Sequence, residues 1–225
     1  MKIDQVNIEI FLPEETEKPL PLVILNDDMN QGKETYDLCK QMNTKPFVMV
    51  YLSRFDWNSD LSPWPCDPIF RKGEPFAGKA DEYLELITEK ILPAIQDELN
   101  QKGIIISYNA IAGYSLAGLF ALYAATKTDL FHRIVSASGS LWYPDFEKYF
   151  MENGISPDID RIYLSLGDLE SRTKNPIMST VQDKTERICQ YLSDKIKAVF
   201  ELNEGNHFKD ASLRTAKGIR YILED

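Results

Sequence analysis

The sequence predicts an α/β protein with a largely parallel central sheet, and three observations indicate this class. Two continuous apolar runs, residues 22–25 and 47–52, are typical of strands covered on both faces, as the central strands of a parallel sheet are. A long stretch from Tyr83 to Leu99 carries its apolar residues on one helical stripe. Strand-like and helix-like segments then alternate to the end of the chain, which is the pattern of β–α–β units.

The individual elements follow in order from the amino terminus. Apolar residues alternate with polar ones from Val6 to Leu12, which predicts a half-buried strand, and the proline-bearing segment 13–21 predicts a turn. In the long helix, Pro93 is expected to kink or restart the chain and Gly103 to end it. The other predicted elements are a short helix within 35–42, a short strand at 110–112, an Ala-rich helix at 116–125, strands at 134–137 and 162–166 with a short helix within 144–158 between them, a helix at 177–192, a strand at 198–202 and a final helix at 208–223.

Residues 53–79 are predicted to form a long irregular loop, because they hold several prolines and glycines together with Trp57 and Trp64. Long loops of this kind in compact proteins are often functional. A surface loop held in place by its aromatic side chains explains the same composition equally well.

Length, composition and charge limit the protein class. The chain has 225 residues and an ordinary globular composition, which predicts one domain over residues 1–225. The formal net charge of −10 argues against nucleic acid or an anionic membrane as a partner. No apolar stretch is long enough to cross a membrane and no secretion signal is seen, so a cytoplasmic protein is expected. Nothing in the sequence indicates an oligomeric state.

Cysteine, histidine and glycine patterns give no sign of a metal or a nucleotide. Cys39, Cys66 and Cys189 are too widely spaced for a disulfide framework or a CxxC pair, and they are expected to be reduced. The two histidines, His132 and His207, form no HExxH motif. Phosphate-binding glycine motifs are also missing from the sequence. We therefore expect no cofactor and no metal.

The segment Ala112–Gly118 contains the candidate nucleophile. It places Ser115 between a predicted strand and a predicted helix, which is the context of a nucleophile elbow. Such a sharp turn needs small residues two positions before and after the serine, and Gly113 and Ala117 stand there, with Ala the mildest departure from Gly. An ordinary strand-to-helix turn with a capping serine is the alternative.

A serine nucleophile needs a base and an acid at the same edge of the sheet. His207 follows the last predicted strand at its carboxyl end, as Ser115 does, whereas His132 stands at the amino-terminal entrance of a strand. His207 is therefore the base candidate. The acid is expected between the serine and the histidine in the chain, where Asp168 and Glu170 both qualify, Asp145 is a weaker option, and spacing alone does not choose.

These residues resemble a known family. The match is carried by the elbow segment Gly113–Leu122, by Phe131 with the serine-rich stretch Ser136–Trp142, by Gly78–Asp81, and by Ser165–Glu170 followed by Asn175 and Met178. Together they resemble the putative esterase family, which includes esterase D, enterochelin esterases, feruloyl and acetylxylan esterases and mycolyl transferases. The resemblance extends from about residue 5 to residue 223.

The resemblance implies an α/β-hydrolase fold, with a mostly parallel central sheet flanked by helices on both faces. It implies Ser115 as the nucleophile and His207 as the base. The family acid commonly stands three residues after the glycine that ends its strand, which favours Glu170 over Asp168. Some siderophore esterases of the family work without a well-placed acid, so a dyad of Ser115 and His207 is the alternative.

An oxyanion hole and a substrate pocket are also expected. One oxyanion donor should be the amide of Leu116, and the other should come from the loop after the early strand, where Asp28 is preferred and Asp27 comes second. Relatives often carry glycine in that loop, so its two carboxylates are a departure from the family pattern. The pocket candidates are Trp142, Tyr143 and Arg54, each set against a purely structural or surface role.

The function predicted from the sequence is that of a serine carboxylesterase acting on a small-molecule ester or thioester through an acyl-enzyme, without a cofactor. An acyltransferase that uses the same intermediate is one alternative. A non-catalytic binding protein of the same fold is another, although it would be expected to have lost Ser115 or His207.

Overall fold

The computed structural model describes residues 1–69 and 72–224. Its centre is a sheet of strands whose order is β1-β2-β4-β3-β7-β8-β9-β10, and β5 and β6 form a separate small ribbon. The strands are β1 (Lys2–Ile3), β2 (Val6–Phe11), β3 (Leu20–Asn26), β4 (Val48–Ser53), β5 (Pro65–Cys66), β6 (Phe76–Ala77), β7 (Ile106–Tyr114), β8 (Phe131–Ala137), β9 (Arg161–Gly167) and β10 (Lys197–Asn203).

The sheet is parallel from β4 through β3 and β7 to β10, and β2 pairs antiparallel with both of its neighbours, β1 and β4. Parallel neighbours must be joined by crossover connections, and helices supply them. The helices are α1 (Gly32–Gln41), α2 (Trp57–Asp60), α3 (Ala80–Glu85), α4 (Leu92–Gln101), α5 (Leu116–Ala125), α6 (Phe146–Asn153), α7 (Val181–Ser193) and α8 (Ala211–Leu223), with a π-helical turn at Leu86–Ile91 and a short 3₁₀ turn at Met178–Thr180. Among the described residues, no helix is both long enough and apolar enough to span a bilayer.

Helices cover both faces of the sheet, as the sequence predicts. In β3, Leu22 and Ile24 pack into the core beneath α3 to α7, whereas Val23 and Leu25 pack on the other face against α1 and α8. Because both sets of side chains are buried, the strand reads as a continuous apolar run rather than an alternating one. The prediction of an α/β protein with a mostly parallel sheet is confirmed.

Several predicted elements differ from the structure in length. The strand predicted at 110–112 is longer in the structure and spans Ile106–Tyr114. Its first residues could not be predicted as a strand, because they include Ser107 and Asn109 and lack an apolar pattern. The final helix begins at Ala211 rather than at residue 208, because the residues before it form an ordered loop after β10 that ends with Asp210 in a left-handed conformation.

The long helix is interrupted where Pro93 was expected to disturb it. The chain passes from α3 through the π-helical turn and restarts as α4, with Pro93 in the first turn of the new helix. Proline has no amide hydrogen and crowds the carbonyl four residues earlier, and a wider turn accommodates both effects.

The segment predicted as an irregular loop, residues 53–79, holds more order than expected. It contains α2 and the β5–β6 ribbon, and Ser62 ties the two together because its hydroxyl accepts a hydrogen bond from the amide of Gly78 at 2.9 Å. Residues 70 and 71 of this segment lie outside the described residues. The segment contributes Trp57 to the cleft described below.

Candidate active site

Ser115 lies in a strained turn between β7 and α5. Its backbone has φ 59° and ψ −121°, a conformation that is costly for any residue except glycine. The turn is held from both sides, because the Ser115 amide donates to the carbonyl of Ala137 at 3.0 Å and its carbonyl accepts from the amide of Ser140 at 2.9 Å. A side chain at Gly113 would place its Cβ 2.3 Å from the backbone of Ala117, so strand and helix pass in direct backbone contact. This is the geometry that the elbow motif requires.

His207 lies beside the serine, on the loop after β10. Its Nε2 is 2.9 Å from Ser115 Oγ, and the ring remains partly exposed to solvent. The hydroxyl of Tyr114 donates to the carbonyl of His207 at 2.7 Å and holds the loop against the end of β7.

Glu170 completes a chain of hydrogen bonds. Its Oε2 is 2.6 Å from His207 Nδ1, and its side chain is only 5% exposed. The other oxygen, Oε1, accepts from the amide of Gly167 at 2.6 Å and from the hydroxyl of Ser138 at 2.8 Å. Burial alone would raise the pKa of the Glu170 carboxyl, but the hydrogen bond and charge of His207, followed by these other donors, hold that pKa below its ordinary value. An ionised carboxylate only accepts, so Nδ1 carries the imidazole proton and Nε2 is free to accept from Ser115.

The structure brings Glu170, and not the other acid candidates, to the histidine. Asp168 uses its Oδ1 to accept from the amide of Gly205 at 2.7 Å, so it anchors the histidine loop without touching the ring. Asp145 is exposed at the start of α6. His132 lies at the amino-terminal start of β8, at the opposite edge of the sheet from Ser115.

Arg214 is a buried residue of the site that sequence reasoning missed. It lies on α8 with its side chain 1% exposed, and its Nη1 is 3.0 Å from Glu170 Oε1. No motif surrounds it, and a basic residue in an amphipathic helix is usually solvated. The only sequence signal is its place among small and apolar residues on the buried side of α8.

The oxyanion candidates have different surroundings. Leu116 supplies the first amide of α5, which has no partner within the helix. The amide of Asp27 donates to the carbonyl of Leu52 at 3.1 Å, which removes it from the loop's free donors. Asp28 lines the cleft beside Ser115, and its Oδ1 accepts from the amide of Arg54 at 3.0 Å.

The Asp27 carboxyl points into the protein. Its Oδ2 accepts from the hydroxyl of Tyr51 at 3.0 Å and from the amide of Gln31 at 3.1 Å. Burial is the main cause that raises the pKa of this carboxyl above its ordinary value, and these hydrogen bonds only partly oppose it. The departure from glycine in this loop therefore leaves one carboxylate, that of Asp28, at the cleft.

A cleft of about 410 Å³ opens in front of the serine. Its lining is mostly apolar and includes two large exposed side chains, Phe208 at 82% and Met29 at 55% exposure. Within the described part of the chain, the lining residues are Asp28, Met29, Gln31, Trp57, Tyr114, Ser115, His207, Phe208 and Ala211.

The three residues predicted for the pocket lie elsewhere. Trp142 borders a separate small cavity of about 30 Å³ behind Glu170 and His207. Tyr143 is buried, and its hydroxyl donates to the carbonyl of Trp64 at 2.6 Å, so it covers the sheet. Arg54 reaches the cleft only through the hydrogen bond from its amide to Asp28. Two of the lining residues had a signal in the sequence. Trp57 belongs to the aromatic segment 53–79, and Phe208 directly follows His207.

In residues 1–69 and 72–224, no three His, Cys, Asp or Glu side chains converge in a way that could hold a metal ion.

Comparison with known proteins places this geometry in a family. Residues 3–208 match the family model described as putative esterase. A protein of Bacillus subtilis (strain 168) described as uncharacterized protein YbbA is 28% identical over 180 residues, which are 78% of this chain and 72% of that protein.

Solved structures share the fold. An IroE-like serine hydrolase from Shewanella oneidensis superposes with a TM-score of 0.74 at 19% identity, covering 96% of this chain and 75% of that one. The siderophore hydrolase EstA from Aspergillus nidulans gives a TM-score of 0.73 at 20% identity, covering 96% of this chain and 89% of that one. The α/β-hydrolase fold implied by the sequence resemblance is thereby confirmed.

Proposed function

The chain belongs to the putative esterase family, and from this membership we propose that it is a serine carboxylesterase that works through an acyl-enzyme. The observation that carries the proposal is the unbroken chain of hydrogen bonds at the cleft. Ser115 Oγ is 2.9 Å from His207 Nε2, and His207 Nδ1 is 2.6 Å from Glu170 Oε2. Both distances lie within the reach that proton transfer requires.

In the first half of the reaction, Ser115 Oγ attacks the ester carbonyl while His207 Nε2 takes the hydroxyl proton. The imidazolium that forms is stabilised by the carboxylate of Glu170. The tetrahedral intermediate collapses when His207 gives the proton to the leaving alcohol, which leaves Ser115 acylated. Water then attacks the acyl-enzyme with His207 again as base, and the acid product leaves.

The negative charge on the tetrahedral intermediate needs donors at the same place. We assign them to the amide of Leu116 and the amide of Asp28, which flank the cleft on the α5 and β3 sides. The positive end of α5 adds to this stabilisation. One such donor typically lowers the activation barrier by about 2.7–4 kcal/mol.

The cleft indicates the substrate. Met29, Trp57 and Phe208 offer apolar surface next to the nucleophile, so the substrate is a small-molecule ester with an apolar acyl or alcohol group of a size that the cleft accepts. We also propose that residues 1–225 act as one esterase domain, because the nucleophile, base and acid all follow strands of one sheet.

Labelling with a fluorophosphonate probe tests the mechanism, because the probe needs an activated serine but little substrate specificity. Intact mass and peptide mapping should give a single adduct on Ser115. Ser115→Ala should abolish labelling and the hydrolysis of p-nitrophenyl esters, and His207→Ala should reduce both by several orders of magnitude. His132→Ala is the matched control and should label like the wild type. Ester hydrolysis that persists in Ser115→Ala would overturn the proposed mechanism.

A further inference from the structure

We propose that Arg214 is a positioning residue that joins the acid to the histidine loop and, through its charge, affects the acid limb of the pH–activity profile. This inference rests on the proposed esterase mechanism. Arg214 is not one of the three residues of the Ser–His–Glu chain, and its side chain lies behind them rather than in the cleft.

The first half of the argument is the link to the histidine loop. Arg214 Nη2 donates to the carbonyl oxygens of Glu204 and Asn206, each at 3.1 Å. These two carbonyls lie on the segment that leads into His207, and the residue between them, Gly205, has φ 105°. The amide of Lys209 also donates to the Asn206 carbonyl, at 3.2 Å, and the guanidinium adds donors from a second, buried element to this irregular loop.

The second half is the link to the acid. Arg214 Nη1 is 3.0 Å from Glu170 Oε1 and 3.0 Å from the hydroxyl of Ser138, which itself donates to the same carboxylate oxygen. The guanidinium lies directly against Gly167, where a Cβ would come 2.8 Å from Nη2 and 3.0 Å from Nη1. With Oε1 held in this way, only Oε2 is left to face His207. One planar side chain therefore orients both the carboxylate and the loop that it serves.

The charge of Arg214 has a separate consequence. The carboxylate of Glu170 lies between a guanidinium on Oε1 and an imidazole on Oε2. A buried carboxylate with no other cation would favour the protonated imidazole in the resting enzyme, and a protonated imidazole cannot take the Ser115 proton. Because Arg214 offsets part of that negative charge, we expect its removal to move the acid limb of the pH–activity profile upward.

Other titratable groups surround this cluster, and the wild type and the Arg214 variants share all of them. They are Tyr114 on β7, Asp168 beside Gly167, Asp28 across the cleft, Glu34 on α1, the exposed pair of Glu204 and Lys209, and Asp210 at the start of α8. A difference between the wild type and an Arg214 variant therefore reports the change at Arg214.

The test is the pH dependence of kcat/KM for a p-nitrophenyl ester in Arg214→Met and Arg214→Lys, with circular dichroism to show that each is folded. Arg214→Met removes the charge and the donors, so we expect kcat to fall about 10- to 100-fold and the acid limb to move upward by on the order of one pH unit. Arg214→Lys keeps the charge but loses the planar fork. We expect it to lower kcat while its acid limb stays where the wild type has it.

Arg161→Met is the matched control, because Arg161 is also buried and donates to the carbonyl of Tyr221 at the far end of α8. It should lower the melting temperature without moving the acid limb. If Arg214→Met does not fold, Arg214→Lys decides alone, and a wild-type kcat in it overturns the proposal. A folded Arg214→Met with an unmoved limb does the same. Ser115→Ala in the same assay separates the two failures, because activity there would overturn the mechanism itself.

Discussion

Replacing Glu170 with glutamine tests the orientation of the whole site, because the structure dictates which way the new amide must turn. Among the described residues, three donors converge on Oε1, from Gly167, Ser138 and Arg214, whereas His207 faces Oε2. An amide nitrogen cannot accept from those three donors, so the glutamine oxygen takes the Oε1 position. Its NH₂ group then faces His207 Nδ1, which must become the acceptor. The imidazole proton is thereby moved to Nε2, the atom that should receive the proton of Ser115.

The magnitude follows from this wrong tautomer. An imidazole whose Nε2 carries a proton cannot act as the base, and such a change costs about 10⁴-fold in kcat in a serine triad. That factor corresponds to about 5 kcal/mol in the activation barrier. The buried guanidinium also loses its counter-charge, and removing one partner of a buried ion pair typically lowers the free energy of unfolding by about 3–5 kcal/mol. We expect the lower end of that range, because the glutamine oxygen still accepts from Arg214.

The assay is steady-state hydrolysis of a p-nitrophenyl ester together with the rate of fluorophosphonate labelling, and thermal unfolding reports the stability. Asp168→Asn is the matched control, because its oxygen can still accept from the amide of Gly205. We expect it to keep activity within about threefold of the wild type, since no proton changes place. Near-wild-type turnover in Glu170→Gln would refute the tautomer argument, and severe loss in Asp168→Asn alone would transfer the role of the acid to Asp168.

Three further predictions concern the elbow, the cleft and the pH dependence of stability. Gly113→Ala places a Cβ 2.3 Å from the backbone of Ala117, so it should destabilise the protein by about 1–3 kcal/mol or more and slow fluorophosphonate labelling. Gly103→Ala is the control for backbone strain alone, because Gly103 has φ 72° but its new Cβ would have no atom within 4 Å. Equal labelling in both variants would contradict the close packing. Phe208→Ala removes an 82% exposed ring at the cleft, so it should raise KM for apolar esters and leave the melting temperature unchanged. The pKa of Glu170 is lower in the folded protein than in the unfolded chain. Its contribution to stability is therefore complete above the unfolded pKa of about 4.3 and disappears as the pH falls through the folded value. Unfolding in urea between pH 6 and pH 3 should show a steeper loss of the free energy of unfolding in the wild type than in Glu170→Gln.

The parallel sheet and the nucleophile could be predicted because burial and sterics leave marks in the sequence. Strands covered on both faces read as continuous apolar runs, as in residues 22–25 and 47–52. The elbow needs small residues at Gly113 and Ala117, so its position follows from residue size alone. The base could be chosen because the chain has only His132 and His207, which stand at opposite ends of their strands.

The cleft lining and Arg214 could not be predicted for the opposite reason, because they depend on contacts between segments far apart in the chain. Trp142 and Tyr143 follow a strand at the carboxyl edge, but their ring size drives them into the core behind the site. Met29 and Phe208 line the cleft because loops after β3 and β10 meet there, and no local pattern records that meeting. Arg214 is ninety-nine residues from the serine in the chain, and only the folded α8 brings it to Glu170.

The choice between Asp168 and Glu170 depends on strand register. Tyr114, at the end of β7, is level with Ala137 of β8 and Ser165 of β9, so β9 continues two residues, about 7 Å, beyond the level at which Ser115 leaves the sheet. Gly167 at the end of β9 is level with Asn203 of β10.

From that higher level, Asp168 meets the first turn after β10 and bonds to the amide of Gly205. Glu170 lies one turn further on, and the hydrogen bond from its amide to the carbonyl of Gly167 at 3.1 Å folds its side chain back toward the sheet. The ends of β7 and β10 are three strand spacings apart, about 14 Å, so the loop that carries His207 must reach back across β9 and β8 to meet the serine. Hydrogen bonds from Tyr114 and Arg214 hold the loop in that position. Glu170 can therefore reach His207, because its carboxylate turns back over the sheet.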